Sequence, residues 1–293
     1  MYKGKKIIAI NYCDKTFEIQ RAYNTKTAYS KGKVDEVKEY SIADIDETFL
    51  KRNAAIFAEK RGAGLWLWKP YLILKTLELM NEGEFLFYCD AGAYYVDSVS
   101  KLVDNLERYG GDIMPFELPL ISRQWTKKET FTTIGFDSSC QNQILAGYIL
   151  IRNTDYSRKI IAEWLCYMQD ERCSSPKQIT EETNYADFVA HREDQSVFSI
   201  ICRKHQIQPF RDPSQYGDRP YEYAWRKGYS SFWKKFSFRK KKYVNSAYPK
   251  IVVSNRKSDP IKYKRYEAII NFLWRIGVYN ELSYKWKYKT EYK

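Results

Sequence analysis

The first two-thirds of the sequence alternates strand-like and helix-like segments, and this alternation restricts the fold more than any other feature. Strand-like runs such as KKIIAINY and FLFYC are followed by stretches with helical spacing of apolar residues, such as DYSRKIIAEWLCYMQDER. Alternating strands and helices predict a layered sheet with helices packed on its faces. No internal repeat and no low-complexity segment interrupts this order. We therefore expect an α/β fold.

The run FLFYC, residues 85–89, has the length and the residue types of a strand that is buried on both faces. Asp90, Ala91 and Gly92 follow it directly, so a carboxylate and a turn stand at the end of the strand. Ligands of open α/β sheets bind at the carboxyl ends of strands. Asp90 is therefore a candidate ligand contact, although Asp and Gly at this spacing also form ordinary turns.

Two further segments place charged residues at predicted helix starts. Lys69, after Trp68, stands where the helix dipole disfavours a cation, so an anionic ligand or plain surface exposure would explain it. Glu193 and Asp194 stand at another helix start, a position that acidic residues favour. Capping accounts for one of these two carboxylates and leaves the neighbouring Gln195 and His191 unexplained.

Taken in this order, three segments resemble nucleotide-sugar-dependent glycosyltransferases with the GT-A fold, in particular bacterial enzymes that build capsule, O-antigen or other surface polysaccharide. They are WLWKPYLILKTLELMNEGEFLFYCDAG, ILAGYILIRN and REDQSVF, and the resemblance covers roughly residues 5–212. It implies a GT-A-like (Rossmann-like) mixed sheet flanked by helices. It also implies transfer of a hexose from a nucleotide diphosphate sugar, with a UDP-sugar favoured, to a glycan acceptor.

The first of these segments is similar to the helix and strand that lead into the family's Asp-x-Asp signature. The resemblance implies that donor-binding residues are Trp68, Lys69, Asp90, Ala91 and Gly92, together with Asn11 and Tyr12 at the end of the first strand. The last carboxylate of the signature usually coordinates a divalent cation, Mn²⁺ or Mg²⁺, on the donor diphosphate. Gly92 replaces it here, so either Asp90 holds the cation or Lys69, Arg61 or another cationic side chain offsets the charge without metal.

In this family an acceptor hydroxyl attacks the anomeric carbon while the nucleotide diphosphate leaves, which requires a carboxylate near the reacting centre. Asp194 is the first candidate for that role and Glu193 the second. A Glu-Asp pair is typical of inverting relatives and an Asp-Gln pair of retaining ones, and the sequence contains both, so the stereochemical course stays open. Candidate acceptor-binding residues are Gly147, Tyr148, His191, Gln195 and Tyr216. His191 could equally be a hydrogen-bonded structural residue.

The charge of the chain is concentrated in its last part. Residues 226–293 contain 19 Lys and Arg against 4 Asp and Glu, whereas residues 1–225 contain 30 against 32. Aromatic residues alternate with these cations, and apolar residues recur at helical spacing at Ile269, Ile270, Leu273, Trp274 and Ile276. We predict a GT-A-like catalytic domain, 1–225, and a basic, aromatic helical extension, 226–293, which binds an anionic membrane or a lipid-linked acceptor. A helix packed on the body with a solvated basic face is the alternative.

The six cysteines form no CxxC pair, which favours free thiols in a reducing compartment. The apolar run near the start, IIAI, is too short for a signal peptide, and no run approaches the ~18 apolar residues of a spanning helix. We expect a cytoplasmic protein that is peripheral at the inner face of the membrane.

Two alternatives belong to other functional classes. A basic, aromatic tail also suits a nucleic-acid-binding protein, for which no role of the Asp90 and Glu193–Asp194 segments would be needed. The absence of a second aspartate at Gly92 leaves open a catalytically silent, glycosyltransferase-like scaffold. The resemblance favours the enzyme, and with it no nucleic-acid partner is expected.

Overall fold

The computed structural model of the protein describes residues 1–224 and 241–284. Its eight strands are β1 (Ile7–Tyr12), β2 (Glu36–Tyr40), β3 (Phe85–Cys89), β4 (Ala93–Tyr95), β5 (Ile113–Ile121), β6 (Asn142–Arg152), β7 (Phe210–Arg211) and β8 (Val252–Ser254). The α-helical segments of the described residues are α1 (Glu18–Thr27), α2 (Glu47–Arg52), α3 (Ala54–Phe57), α4 (Gly62–Leu65), α5 (Trp68–Leu79), α6 (Ser100–Tyr109), α7 (Ser122–Trp125), α8 (Lys128–Ile134), α9 (Asp155–Met168), α10 (Glu171–Ser174), α11 (Glu193–Lys204), α12 (Gln215–Asp218), α13 (Tyr221–Ala224) and α14 (Pro260–Arg275).

Six of these strands form one mixed sheet in the order β2-β1-β3-β6-β5-β7. β1 pairs in parallel with both β2 and β3, and β7 pairs in parallel with β5. β6 is antiparallel to its two neighbours, β3 and β5. The predicted α/β class, with a mixed sheet flanked by helices, is confirmed.

Both faces of this sheet are buried, which explains the unbroken apolar runs of its central strands. Side chains of a strand point alternately to its two faces. In β1, Ile8 and Ile10 belong to a core that includes residues of α5, α9 and α11, whereas Ile7 and Ala9 belong to a second core with α6 and β8. The ends of the central strands are therefore held between two packed layers.

One predicted helix is broken in the structure. The residue pattern of DIDETFLKRNAAIFAEKRG, with its acidic start, predicts a single helix, but α2 ends at Arg52 and α3 begins at Ala54. Between them Asn53 has φ −110° and ψ 28°, and its buried side-chain amide donates to the carbonyl of Phe49. An Asn side chain that bonds to nearby backbone competes with helical hydrogen bonds, which accounts for the break.

The segment before α5, which comprises α4 and Trp66, is a turn of left-handed backbone and not a regular α-helix. All five residues from Gly62 to Trp66 have positive φ, with values of 62°, 51°, 94°, 53° and 59°. Left-handed backbone costs a residue with a side chain roughly 1–2 kcal/mol, and three of these five, Ala63, Leu65 and Trp66, are not glycine. Strain of this kind persists where the surrounding structure holds it, often beside a functional site.

The described part of the predicted extension, residues 241–284, packs against the sheet and its helices. β8 pairs antiparallel with β4, so this part of the chain adds a strand to a second, two-stranded sheet. Glu267 of α14 is buried and forms ion pairs with Arg219, at 2.7 Å, and Lys250, at 2.8 Å. The division of the chain at residue 225 stays a prediction, and residues 226–240 and 285–293 of the predicted extension lie outside the described part.

Two findings bear on the setting of the protein. No helix within residues 1–224 and 241–284 is long and apolar enough to cross a membrane. No cysteine within the described ranges forms a disulfide, and Cys140 and Cys166 are exposed.

Candidate active site

The carboxyl ends of β1 and β3 border a cleft of about 1130 Å³. Thirteen of the predicted site residues line it: Tyr12, Trp68, Lys69, Asp90, Ala91, Gly92, Gly147, Tyr148, His191, Glu193, Asp194, Gln195 and Tyr216. The structure thus brings together segments that are far apart in the sequence. Asn11 is not among the lining residues, because its side chain is buried and its amide donates to Asn24 at 3.1 Å.

A buried lysine joins two carboxylates at the base of this cleft. The Nζ atom of Lys69 lies 2.5 Å from Oδ2 of Asp194 and 3.6 Å from Oδ1 of Asp90. It also donates to the carbonyl oxygen of Ala146 at 3.1 Å. Lys69 and Asp194 have side chains only 3% and 8% exposed, whereas the Asp90 side chain is 47% exposed. Asp90 is therefore the carboxylate of this array that a ligand in the cleft reaches most easily.

The electrostatics of the array follow from burial and from these close pairs. Burial alone would lower the pKa of Lys69, but the carboxylates of Asp194 and Asp90 outweigh it, and the pKa of Lys69 is raised. Lys69 is thus held as a cation. Burial raises the pKa of Asp194, although Lys69 opposes that shift. The array presents a carboxylate that is both desolvated and fixed in position.

Asp90 itself is held by hydrogen bonds to its side chain and to its backbone. Oδ1 accepts a hydrogen bond of 2.6 Å from the hydroxyl of Tyr88, and the backbone N–H of Asp90 donates to the carbonyl of Gly147 at 2.9 Å. A Cβ atom on Gly147 would lie 3.0 Å from Oδ2 of Asp90. Gly147 therefore gives the Asp90 carboxylate the room that a side chain would take, which is a physical reason for the glycine within β6.

Glu193 is oriented by Arg61 from the segment before the left-handed turn. Nε of Arg61 donates to Oε1 of Glu193 at 2.6 Å, and the Glu193 side chain is 3% exposed while that of Arg61 is 57% exposed. Glu193 has a φ of 38°, an unusual value for a residue with a side chain. Burial raises its pKa, and Arg61 opposes the shift. Backbone strain and an exposed counter-ion thus meet at this second carboxylate.

Aromatic rings form part of the cleft wall. The rings of Tyr12 and Trp68 are stacked, with centroids 3.8 Å apart and an angle of 17° between the planes. The indole N–H of Trp68 donates to the carbonyl of Gly62, which ties this wall to the left-handed turn. Flat, rigid rings of this kind suit contacts with a nucleobase or the apolar face of a sugar.

His191 has structural partners on both ring nitrogens. Its Nε2 lies 2.8 Å from the carbonyl of Cys173, and its Nδ1 accepts from the backbone N–H of Lys127 at 3.3 Å. The acceptor role of Nδ1 assigns the proton to Nε2. Burial lowers the pKa of His191 to about 3, so the ring is neutral near pH 7. This environment fits a structural histidine at the cleft wall.

The other predicted acceptor-side residues differ in their packing. Gln195 is buried, and its amide donates to the side-chain oxygen of Gln143 at 2.6 Å. Tyr148 belongs to the second core and Tyr216 packs beside Leu118, Leu120 and Trp125. Their acceptor-binding roles stay predictions.

Gly92 lies against the backbone of Arg256, which is distant from it in the sequence. The backbone N–H of Arg256 donates to the carbonyl of Gly92 at 2.6 Å. A Cβ atom on Gly92 would come within 3.0 Å of Cα and 3.1 Å of the carbonyl oxygen of Arg256. Gly92 is therefore required by the close approach of two backbones, and the space of a second carboxylate is filled.

The surroundings of Asp90 test whether the divalent cation implied by the resemblance fits. One oxygen of its carboxylate already accepts from Tyr88 and faces Lys69. In residues 1–224 and 241–284, no group of three or more His, Cys, Asp or Glu side chains is arranged to hold a metal ion. These residues do not fit a cation held by several protein ligands.

Several residues of the cleft are not predicted from the sequence. They include Trp66, Trp125, Arg192, Asp212, Arg256 and Lys257. Arg192 was overlooked although it adjoins Glu193, and its guanidinium lies 4.4 Å from the ring centroid of Trp125. Arg256 and Lys257 carry no local signal beyond a turn-like sequence, because the pairing of β4 with β8 brings them here.

No family model matches this chain, and no curated protein matches it. Among solved structures, the mouse xyloside xylosyltransferase 1 in its apo form is similar at 12% identity and a TM-score of 0.44, over 85% of this chain and 97% of that one. The galactosyltransferase LgtC with donor and acceptor sugar analogues is similar at 16% identity and a TM-score of 0.44, over 84% and 86%. The apo glycosyltransferase GlyE of Streptococcus pneumoniae TIGR4 is similar at 12% identity and a TM-score of 0.40, over 94% of this chain and 64% of that one. TM-scores below 0.5 at these identities do not assign a family.

Proposed function

We propose that the protein is a glycosyltransferase that moves a hexose from a nucleotide diphosphate sugar, with a UDP-sugar favoured, to a glycan acceptor of a surface polysaccharide. The observation that carries the proposal is the array of Asp90, Lys69 and Asp194 in an aromatic-walled cleft. Such a cleft at the carboxyl ends of strands suits a nucleotide, and a fixed, desolvated carboxylate suits a cationic sugar.

In the proposed reaction Asp194 is the carboxylate nearest the reacting carbon. The acceptor oxygen forms a bond to the anomeric carbon, the bond from that carbon to the diphosphate oxygen breaks, and the diphosphate keeps the electron pair. In an inverting course Asp194 takes the acceptor proton. In a retaining course it stabilises the positive sugar while the proton passes to the departing diphosphate. Glu193 is the second candidate, because its side chain is 3% exposed against 8% for Asp194.

The first experiment measures thermal stability against UDP, GDP, UDP-sugars and GDP-sugars, each with Mn²⁺ and with EDTA. A ligand that binds the native state alone raises the melting temperature, so a shift with one nucleotide class identifies the donor class. The substitution Asp194→Asn should lower transfer by about 10²–10⁴-fold while the nucleotide shift persists. Asp155→Asn, at a carboxylate that is 87% exposed on α9, is the matched control. No shift with any nucleotide would contradict the proposal.

We further propose that α14 rests on an anionic membrane surface at the inner face of the cell membrane, where a lipid-linked acceptor would lie. Ile269 and Phe272 of this helix and Ile276, directly after its last residue, recur at helical spacing and are 60%, 62% and 56% exposed. Lys262 and Arg265, on the same helix, are also exposed. Exposed apolar side chains beside cations suit the boundary between lipid headgroups and acyl chains.

The test replaces Ile269, Phe272 and Ile276 with Ser and follows flotation with vesicles. The intact protein should float with vesicles that contain phosphatidylglycerol and not with pure phosphatidylcholine, and the triple variant should lose flotation while it keeps nucleotide binding. Equal flotation of both proteins would refute the membrane role of this face.

A further inference from the structure

The turn that follows β8 covers the place where a second carboxylate of an Asp-x-Asp signature would stand. Within this turn the side-chain amide of Asn255 donates to the carbonyl of Ser258 at 2.8 Å, and Gln20 of α1 donates to the carbonyl of Lys257 at 3.0 Å. Together with the contact between Arg256 and Gly92, these bonds fix the turn against the cleft.

Two cationic side chains leave this turn. Arg256 and Lys257 both line the cleft, and both are exposed. Nζ of Lys257 lies 5.8 Å from the ring centroid of Phe17, another residue of the cleft lining. Lys69 and Arg61, by contrast, are engaged by Asp194 and Glu193. Neither Arg256 nor Lys257 has an ion-pair partner within the described ranges, so their charges are available to an anion.

The backbone of Arg256 adds a second observation. Its φ of 52° is in the left-handed region, which costs a residue with a side chain energy that Asn or Gly would avoid. The strained residue is also the one whose backbone excludes a side chain at position 92. The turn therefore holds Arg256 against Gly92, two residues after Asp90, and it brings positive charge to the place that a second carboxylate would take.

We propose that Arg256 and Lys257 bind the diphosphate of the donor and offset its charge in place of a divalent cation. Guanidinium and ammonium groups bind phosphate oxygens through charge-assisted hydrogen bonds, and Arg does so with a planar pair of donors. The same two groups stabilise the negative charge that builds on the diphosphate as it leaves. This inference rests on the proposed function, because it concerns the donor of that reaction.

The experiment measures binding of UDP, GDP and inorganic pyrophosphate by calorimetry, in EDTA and in Mn²⁺. The intact protein should bind whichever nucleoside diphosphate the thermal assay identifies, with equal affinity in both buffers, and pyrophosphate should compete. The substitutions Arg256→Gln and Lys257→Gln should each weaken binding about tenfold and the pair together about a hundredfold. Lys159→Gln on α9 and Lys264→Gln on α14, at two exposed cations that do not line the cleft, are the matched controls.

A conservative variant separates charge from fold. The swap Arg256→Lys with Lys257→Arg keeps both charges and should bind within a few-fold of the intact protein, while melting temperatures confirm that all variants fold. Unchanged affinity in the double glutamine variant, or binding by the intact protein that disappears in EDTA, would overturn this inference and leave the glycosyltransferase proposal standing. Absence of binding to every nucleoside diphosphate would overturn both.

Discussion

The ammonium of Lys69 donates to a carboxylate oxygen of Asp194 at 2.5 Å, and both side chains are buried. They come from helix starts that are 125 residues apart, α5 and α11. A buried ion pair gains little net stability, because desolvation offsets the attraction, but removal of one partner is costly. The pair therefore fixes the position of a carboxylate more than it stabilises the fold.

The substitution Lys69→Met should destabilise the protein by about 3–5 kcal/mol at neutral pH, because Asp194 is then a buried charge without a partner. Loss of Lys69 raises the pKa of Asp194 further above its ordinary value, so the folded state binds a proton more readily than the unfolded state. The loss of stability should thus shrink as the pH falls through that raised pKa. Urea unfolding at several pH values measures it, and Asp194→Asn in the same variant should restore part of the stability. An equal loss at every pH would contradict this account.

The buried His191 should make the stability of the folded protein decrease at acidic pH. Its pKa is lowered to about 3 in the folded state, against an ordinary value of about 6.5. Between these values the unfolded state takes up a proton that the folded state does not, so stability falls as the pH falls, by at most about 1.4 kcal/mol per pH unit. His191→Gln should show a smaller decline from pH 6.5 to pH 4 in urea unfolding. Identical slopes would argue against a neutral buried ring.

Because the backbones of Gly92 and Arg256 are in close contact, we expect that an aspartate at position 92, which would restore an Asp-x-Asp signature, is not tolerated. Gly92→Asp should destabilise the protein by about 1–3 kcal/mol, since its side chain meets the Arg256 backbone, and should not create Mn²⁺ binding. Gly92→Ala should cost less but in the same direction. Thermal unfolding with and without Mn²⁺ tests both variants. Full stability with a new Mn²⁺-dependent shift would show that the turn moves aside.

We expect a glycine substitution in the left-handed turn before α5 to stabilise the protein. Ala63 has a φ of 51°, which glycine adopts at little cost, so Ala63→Gly should raise stability by about 0.5–1 kcal/mol. Ala54→Gly, at the exposed start of α3, is the control and should lower stability by a similar amount. Urea unfolding midpoints of the two variants should therefore move in opposite directions. Movement in the same direction would contradict the strain in this turn.

Features that depend on neighbouring residues could be predicted from the sequence. The strand before Asp90 and the acidic start of α11 follow from apolar runs, periodicity and turn residues within a few positions. The break at Asn53 was missed because periodicity continues across it, while a single side-chain bond to Phe49 decides the outcome.

Features that depend on distant contacts could not be predicted. Asn11 lies at the end of the first strand, as expected. Its side-chain amide, however, donates to Asn24 of α1 and does not line the cleft. Arg256 and Lys257 reach the cleft through pairing between β4 and β8, which the local sequence of neither strand specifies. The cationic residues of the site are thus harder to predict from the sequence than its carboxylates.

The contact of Gly92 with Arg256 has a consequence for the order of synthesis. The chain has 163 residues between Gly92 and Arg256. Asp90 and the strand before it are therefore synthesised well before the turn that contains Arg256 and Lys257. At about 5–20 residues per second this interval is roughly 8–33 s. The lining residues from Trp125 to Tyr216 are made within that time, so the turn that covers Gly92 is the last part of the described cleft lining to be synthesised.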